Sequence, residues 1–270
     1  MFKKKNNFFP YFIIIIIIAL PIILGIIKYS ETADNAITTE VNTQTTVYDH
    51  NSIINNFANE NNLQRDDWSD DLITAFKKNP EIEEFVLYYP LKKDIEHKVD
   101  LSEYANSEKV PLLLQWDERW GYNQYAGELM GLSGCGPTCL SMVSIYLLND
   151  ATYTPDYIAE FAEENGYCTY KNGSEWTLIS EGGEVLGLNI TEIPLDENTI
   201  IQNLKNGNPI ICAMGPGNFT STGHFIVMTA YEDGKIKVND PYSKLRSEKL
   251  WELSDITNQI RNLWVCKAKQ

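Results

Sequence analysis

Residues 131–148 read GLSGCGPTCLSMVSIYLL. Cys135 stands between Gly134 and Gly136, Pro137 follows, and from there an apolar pattern of helical length runs to Leu148. Unpaired amides and the dipole make the first turn of a helix the positive end, where a thiol is more acidic than usual. The flanking glycines are expected to let the chain turn sharply and to let a substrate backbone come close. Two readings fit: a nucleophile displayed at a helix start, or a buried loop cysteine beside structural glycines. Cys139, one helical turn on, sits inside the apolar pattern and reads as a packing residue.

The histidines separate these readings. The chain has three, His50, His97 and His224. The first two fall in polar or charged stretches and read as solvated surface residues. His224 opens the apolar run HFIVMTAY directly after the flexible stretch GPGNFTSTG. A strand end beside such a loop both holds an imidazole and leaves it accessible to a sulfur. The ring then needs an acceptor on its other nitrogen. A regular hairpin about Asp233 would set His224 opposite Tyr242 and bring Asp240, not Asn239, onto the histidine's face. A bulge would invert that choice, and NDP is also a common way to end a strand in an Asx turn. For an oxyanion, the Cys135 amide is one donor, and either Gln115 or Gln124 could be a second; spacing does not choose between them. Trp176, Phe219 and Tyr242 are candidates to line a cleft or simply to pack.

The N-terminus is a different material. Lys3, Lys4 and Lys5 precede an uncharged stretch from Asn6 to Ile27. Its roughly 20 apolar positions match a hydrocarbon core of about 30 Å, and the lysines orient the N-terminus inward. A cleaved signal peptide is the rival, but the run is long for one and no A-x-A site follows. Residues 1–30 are therefore expected to be a cytoplasmic stub and transmembrane signal-anchor, and 31–66 a polar tether. Residues 67–109 should hold short helices, with Ser69 as an N-cap and a break at Asn79-Pro80, that dock on a larger body over residues 110–270. Within that body, helices over 137–148, 155–166 and 174–187 precede the strand signals PIICAM, HFIVMTAY, KIKVND and WVCKA. This is an α+β order with a C-terminal antiparallel sheet.

The formal net charge is −15, and since the first thirty residues hold four lysines and no acid, the remainder carries −19. Such a surface disfavours nucleic acid as a partner. The five cysteines do not suggest a disulfide framework in a chain of this size, and no His/Cys cluster has zinc-ligand spacing. No metal or cofactor is expected. Nothing in the residues fixes an oligomeric state.

The stretches VPLLLQWDERWGY, GCGPTCLSMV, NGSEWTLISEGGEVLGL, GPGNFTSTGHFIVMT and KIKVNDPYS, in this order, resemble the C39-like cysteine peptidases of bacteria, a papain-fold family. The resemblance covers residues 110–263. It implies a papain-like fold, a nucleophile at Cys135, a base at His224, an orienting acid at Asp240, and an oxyanion-hole glutamine at Gln115. It implies a peptide or protein substrate, which the orientation of the anchor would place outside the cell. Relatives that process leader peptides are fused to transporters, and this chain has no GxxxxGK[ST] motif for that role. A cell-wall amidase or endopeptidase of another papain-like family, or a non-catalytic peptide-binding module on the same fold, are the alternatives.

Overall fold

Capping and apolar spacing decide where the first helices form. In a computed structural model that describes residues 49–269, the chain begins with α1 (His50–Asn61), α2 (Asp70–Lys78) and α3 (Glu83–Lys92). Ser69 caps α2 by accepting from the Leu72 amide, acids open the helix and lysines close it, as the dipole favours. Leu72, Ile73 and Phe76 are buried on one face of α2, and Pro80 ends the run before α3 buries Phe85 and Val86. These side chains pack with Ile54, Ala58 and Trp68, and against Tyr122 and Leu129 of the following body. Each such side chain contributes roughly 1.5–3 kcal/mol on full burial, which is what lets helices this short persist.

The expected tether over 31–66 is corrected here. From His50 to Asn61 the chain is helical, with Ile54 and Ala58 buried, because the apolar partner that this weak pattern needs is supplied by α2. His50 stacks edge-on against Phe76 at 4.6 Å and is not a solvated residue. The anchor over residues 1–30 and the tether up to residue 48 lie outside the described residues. Among the described residues no helix is long and apolar enough to cross a membrane.

The body then runs through β1 (Gln124–Tyr125), β2 (Glu128–Leu129), α4 (Met130–Ser133), α5 (Cys135–Leu148), α6 (Pro155–Glu164), β3 (Cys168–Thr169) and β4 (Gly173–Ser174). The helix expected over 174–187 is shorter: a π turn over Leu178–Gly182 leads into α7 (Gly183–Val185), because Ser174 is drawn into pairing with Cys168. Then follow β5 (Leu188–Glu192), α8 (Glu197–Lys205), β6 (Ile210–Met214), β7 (His224–Glu232), β8 (Lys235–Asn239), α9 (Lys244–Glu248), β9 (Leu250–Trp251), α10 (Leu253–Ile256) and β10 (Ile260–Ala268).

The main sheet of the described residues is antiparallel, in the order β5-β10-β6-β7-β8-β9. Both faces of its centre are covered, which explains the unbroken apolar runs of β6 and β7. Ile211, Ala213, Phe225, Val227 and Trp264 pack on α5. Ile210, Cys212, Ile226, Met228 and Val238 pack beneath Ile200 and Leu204 of α8. The last strand starts four residues before the expected WVCKA, since Ile260 pairs with Met214 of β6 across a bulge. Helices first and antiparallel strands last is the α+β order expected.

Candidate active site

α5 is the central helix, buried from Gly136 to Ile145, and its first residue borders the cleft. Cys135 is the first helical residue, two earlier than a start set by Pro137 would suggest. The glycines beside it have a packing role. A Cβ at Gly136 would stand 2.3 Å from Ser174 Oγ, and one at Gly134 2.6 Å from Met130. Their smallness therefore seats α5 against β4 and α4.

β7 begins at His224, paired with Met214 of β6, and this strand end meets the start of α5. The His224 ring and the amides of Phe225 and Gly136 are the groups that act on the Cys135 thiol to make it more acidic. On its far side His224 Nε2 lies 2.8 Å from Asp240 Oδ1, which leaves Nδ1 as the nitrogen available toward sulfur. Asp240 has no exposed surface.

The register that brings these two together differs from the regular hairpin expected. The turn is the two-residue Asp233-Gly234, both at positive φ, with Glu232 paired to Lys235. That turn alone would put Asn239 on the histidine's face. A bulge between Met228 and Ala230 shifts the pairing by one, so that Val227 pairs with Asn239. Continued outward, this register sets His224 against Tyr242 and Asp240 on the same face. Asn239 points the other way, donating to the Val110 and Pro111 carbonyls. Two departures from regularity cancel.

Asp240 is held from several directions. Its Oδ1 also accepts from the Tyr242 amide at 2.8 Å, its Oδ2 accepts from Arg246 Nε at 2.5 Å, and its own amide donates to Ser247 Oγ at 2.8 Å. Burial alone would raise its pKa, but His224 and Arg246 hold it below the ordinary carboxylate value. Burial would likewise lower the imidazole, yet the Asp240 charge and hydrogen bond, with the sulfur's help, push His224 up to about 10. For Cys135 burial works toward a higher pKa and is outweighed by the His224 hydrogen bond and charge, with the two amides adding to them. The three shifts agree on one charge distribution: thiolate, imidazolium, carboxylate.

Gln115 lies 2 % exposed beside the same cleft. Its amide donates one hydrogen to the Gly131 carbonyl at 3.0 Å, and its backbone N–H donates to Pro241 at 2.8 Å. The second side-chain hydrogen is uncommitted among the described residues. Gln124, by contrast, is exposed on β1 and is not part of the cleft lining. The cleft, of about 1200 Å³, is bordered by Cys135, His224 and the 215–223 loop, and Trp176, Phe219 and Tyr242 all reach it.

Three contributors were not foreseen. Arg246 and Ser247 belong to α9, whose N-cap Ser243 accepts from the Arg246 amide; the Ser-x-x pattern after Asp240 was the available signal. More unexpectedly, Asp71, Thr74, Lys78 and Asn79 of the N-terminal segment form one wall of the cleft, where the sequence suggested only docking on the larger body. Among the described residues no group of three or more His, Cys, Asp or Glu is arranged to hold a metal.

The chain belongs to the Peptidase_C39 like family, whose model matches residues 107–270. Among solved structures it is similar to the peptidase domain of Streptococcus ComA, a bifunctional ABC transporter involved in a quorum-sensing pathway. That match has 19% identity and a TM-score of 0.40, covering 51% of this chain and 93% of that one. It is also similar to a C39-like peptidase from Bacillus anthracis, at 14% identity and a TM-score of 0.33, covering 60% of this chain and 96% of that one. No curated protein matches the chain.

Proposed function

We propose that this member of the Peptidase_C39 like family is a cysteine peptidase that hydrolyses peptide bonds through Cys135, His224 and Asp240. The observation that carries the reading is that Cys135 and His224 border the same large cleft, with the His224 ring 2.8 Å from the buried Asp240 carboxylate.

In this reading the Cys135 thiolate attacks the substrate carbonyl carbon and forms a C–S bond, while the carbonyl π electrons move onto oxygen. The Cys135 amide, which belongs to a first turn with no intrahelical acceptor, and the uncommitted Gln115 hydrogen face that oxyanion. Collapse breaks the C–N bond, and the His224 imidazolium gives its proton to the leaving amine. Water then adds to the thioester with neutral His224 taking its proton, and Cys135 leaves as thiolate. Asp240 keeps the ring oriented and stabilises its charged form. The apolar stretch of residues 6–27 would hold the enzyme on the membrane with this body outside.

The test is cleavage of a peptide library, with purified peptidoglycan in parallel, by full-length protein and by Cys135→Ala. The reading expects library peptides to be cut, the protein to be recovered from the membrane pellet, and the variant to lose at least about 10³-fold of the rate with an unchanged melting temperature. Activity surviving in the variant overturns the nucleophile. Cleavage of peptidoglycan alone replaces the substrate class, and recovery in the supernatant removes the anchor.

A further inference from the structure

The segment between α2 and α3 touches the turn that carries the Asp240 contacts. Asn79 Nδ2 donates to the Tyr242 carbonyl at 2.8 Å. Two residues on, the Glu81 carboxylate accepts from the Ser243 hydroxyl and, at 3.1 Å, from the Leu245 amide. Asn79 in turn fixes Glu81, since its Oδ1 accepts from the Glu81 amide at 3.0 Å. The turn is thus gripped at three points, Tyr242, Ser243 and Leu245, from a region that lies ahead of the family-matching residues 107–270.

The other side of the same turn faces Asp240. The Tyr242 amide donates to Oδ1 and the Arg246 guanidinium to Oδ2, so the turn sets the rotation of the carboxylate about its own axis. The grip is anchored in packed structure. Phe85 stacks on Tyr122 at 4.6 Å, and a Cβ at Gly131 would lie 2.4 Å from the Phe85 ring. Asn79 is 7 % and Ser243 2 % exposed, so water does not readily replace these partners.

We propose that Asn79 and Glu81 are positioning residues of the active site: the N-terminal helical segment holds the 242–246 turn so that Tyr242 and Arg246 keep Asp240 aimed at His224. This rests on the reading of Cys135, His224 and Asp240 as the reacting set. The segment is then a working part of the peptidase, joined to it by side chains 160 or more residues apart in sequence.

The experiment compares full-length wild type, Glu81→Ala and Glu81→Gln for kcat, KM and the pH dependence of Cys135 alkylation by iodoacetamide. Glu81→Ala is expected to lower kcat about tenfold, with KM within about twofold, and to move the alkylation limb of Cys135 to higher pH. Glu81→Gln should restore most of both, since its amide can accept from Leu245 and donate to Ser243. A merely structural contact would lower the melting temperature and leave kcat and the alkylation limb at wild-type values, and that result overturns the proposal. If Glu81→Ala does not fold, Asn79→Ala carries the same expectation and the same refutation through Tyr242. Wild-type activity that survives Cys135→Ala would instead sink the underlying reading, so the two failures are distinguishable.

Discussion

Cys135 and Cys139 stand one turn apart on the same helix, and their surroundings drive their acidities in opposite directions. Burial raises the Cys139 thiol well above its ordinary value, with nearby sulfurs and Asp240 adding to that; its side chain is wholly enclosed by the core beneath the sheet. Cys135 is subject to the same penalty from burial, but a protonated ring and two amides overcome it. The helix start alone does not make the difference. What the contrast teaches is that the acidity of the first thiol depends on a histidine supplied by β7, and through it on Asp240 and the turn after β8.

The comparison can be broken from either side. Gln115→Ala removes the second oxyanion donor without touching either sulfur, and a loss of about 10²–10³-fold in kcat is expected. Steady-state kinetics on a cleaved library peptide measures it, and an unchanged kcat would take Gln115 out of the chemistry. Cys139→Ala should do the reverse. Deleting a fully buried sulfur costs about 1–2 kcal/mol of stability, read by denaturant unfolding, while kcat stays within about twofold. A large fall in kcat with unchanged stability would mean the two turns of α5 are not separable.

The contrast also explains what the sequence could reveal. Cys135 at a helix start and Cys139 in its apolar face are local facts, visible in one stretch of eighteen residues. His224 was accessible to reasoning because a strand opening after a glycine-rich loop is also local. The Asp240 face followed from a hairpin taken as regular, whereas it arises from a two-residue turn and a compensating bulge near Thr229; neither residue pattern announces the bulge. Long-range grips were invisible. Nothing in NPEI signals that Asn79 and Glu81 reach a turn 160 residues away, and the pattern after His50 is too weakly amphipathic to form a helix until α2 is there to cover it. The central place of β10, between β5 and β6, is likewise a product of pairing across the whole chain.

All five cysteines are free thiols, so a single experiment can rank them. Alkylation of the full-length protein by iodoacetamide, followed residue by residue by mass spectrometry across pH, reads the thiolate fraction of each. Cys135 should react with a limb below that of an ordinary thiol, because only the deprotonated sulfur reacts. That limb should rise toward the ordinary value in His224→Ala, and Cys139 should stay unreactive throughout. A Cys135 that titrates like an ordinary thiol, or whose limb ignores the loss of His224, would contradict the account.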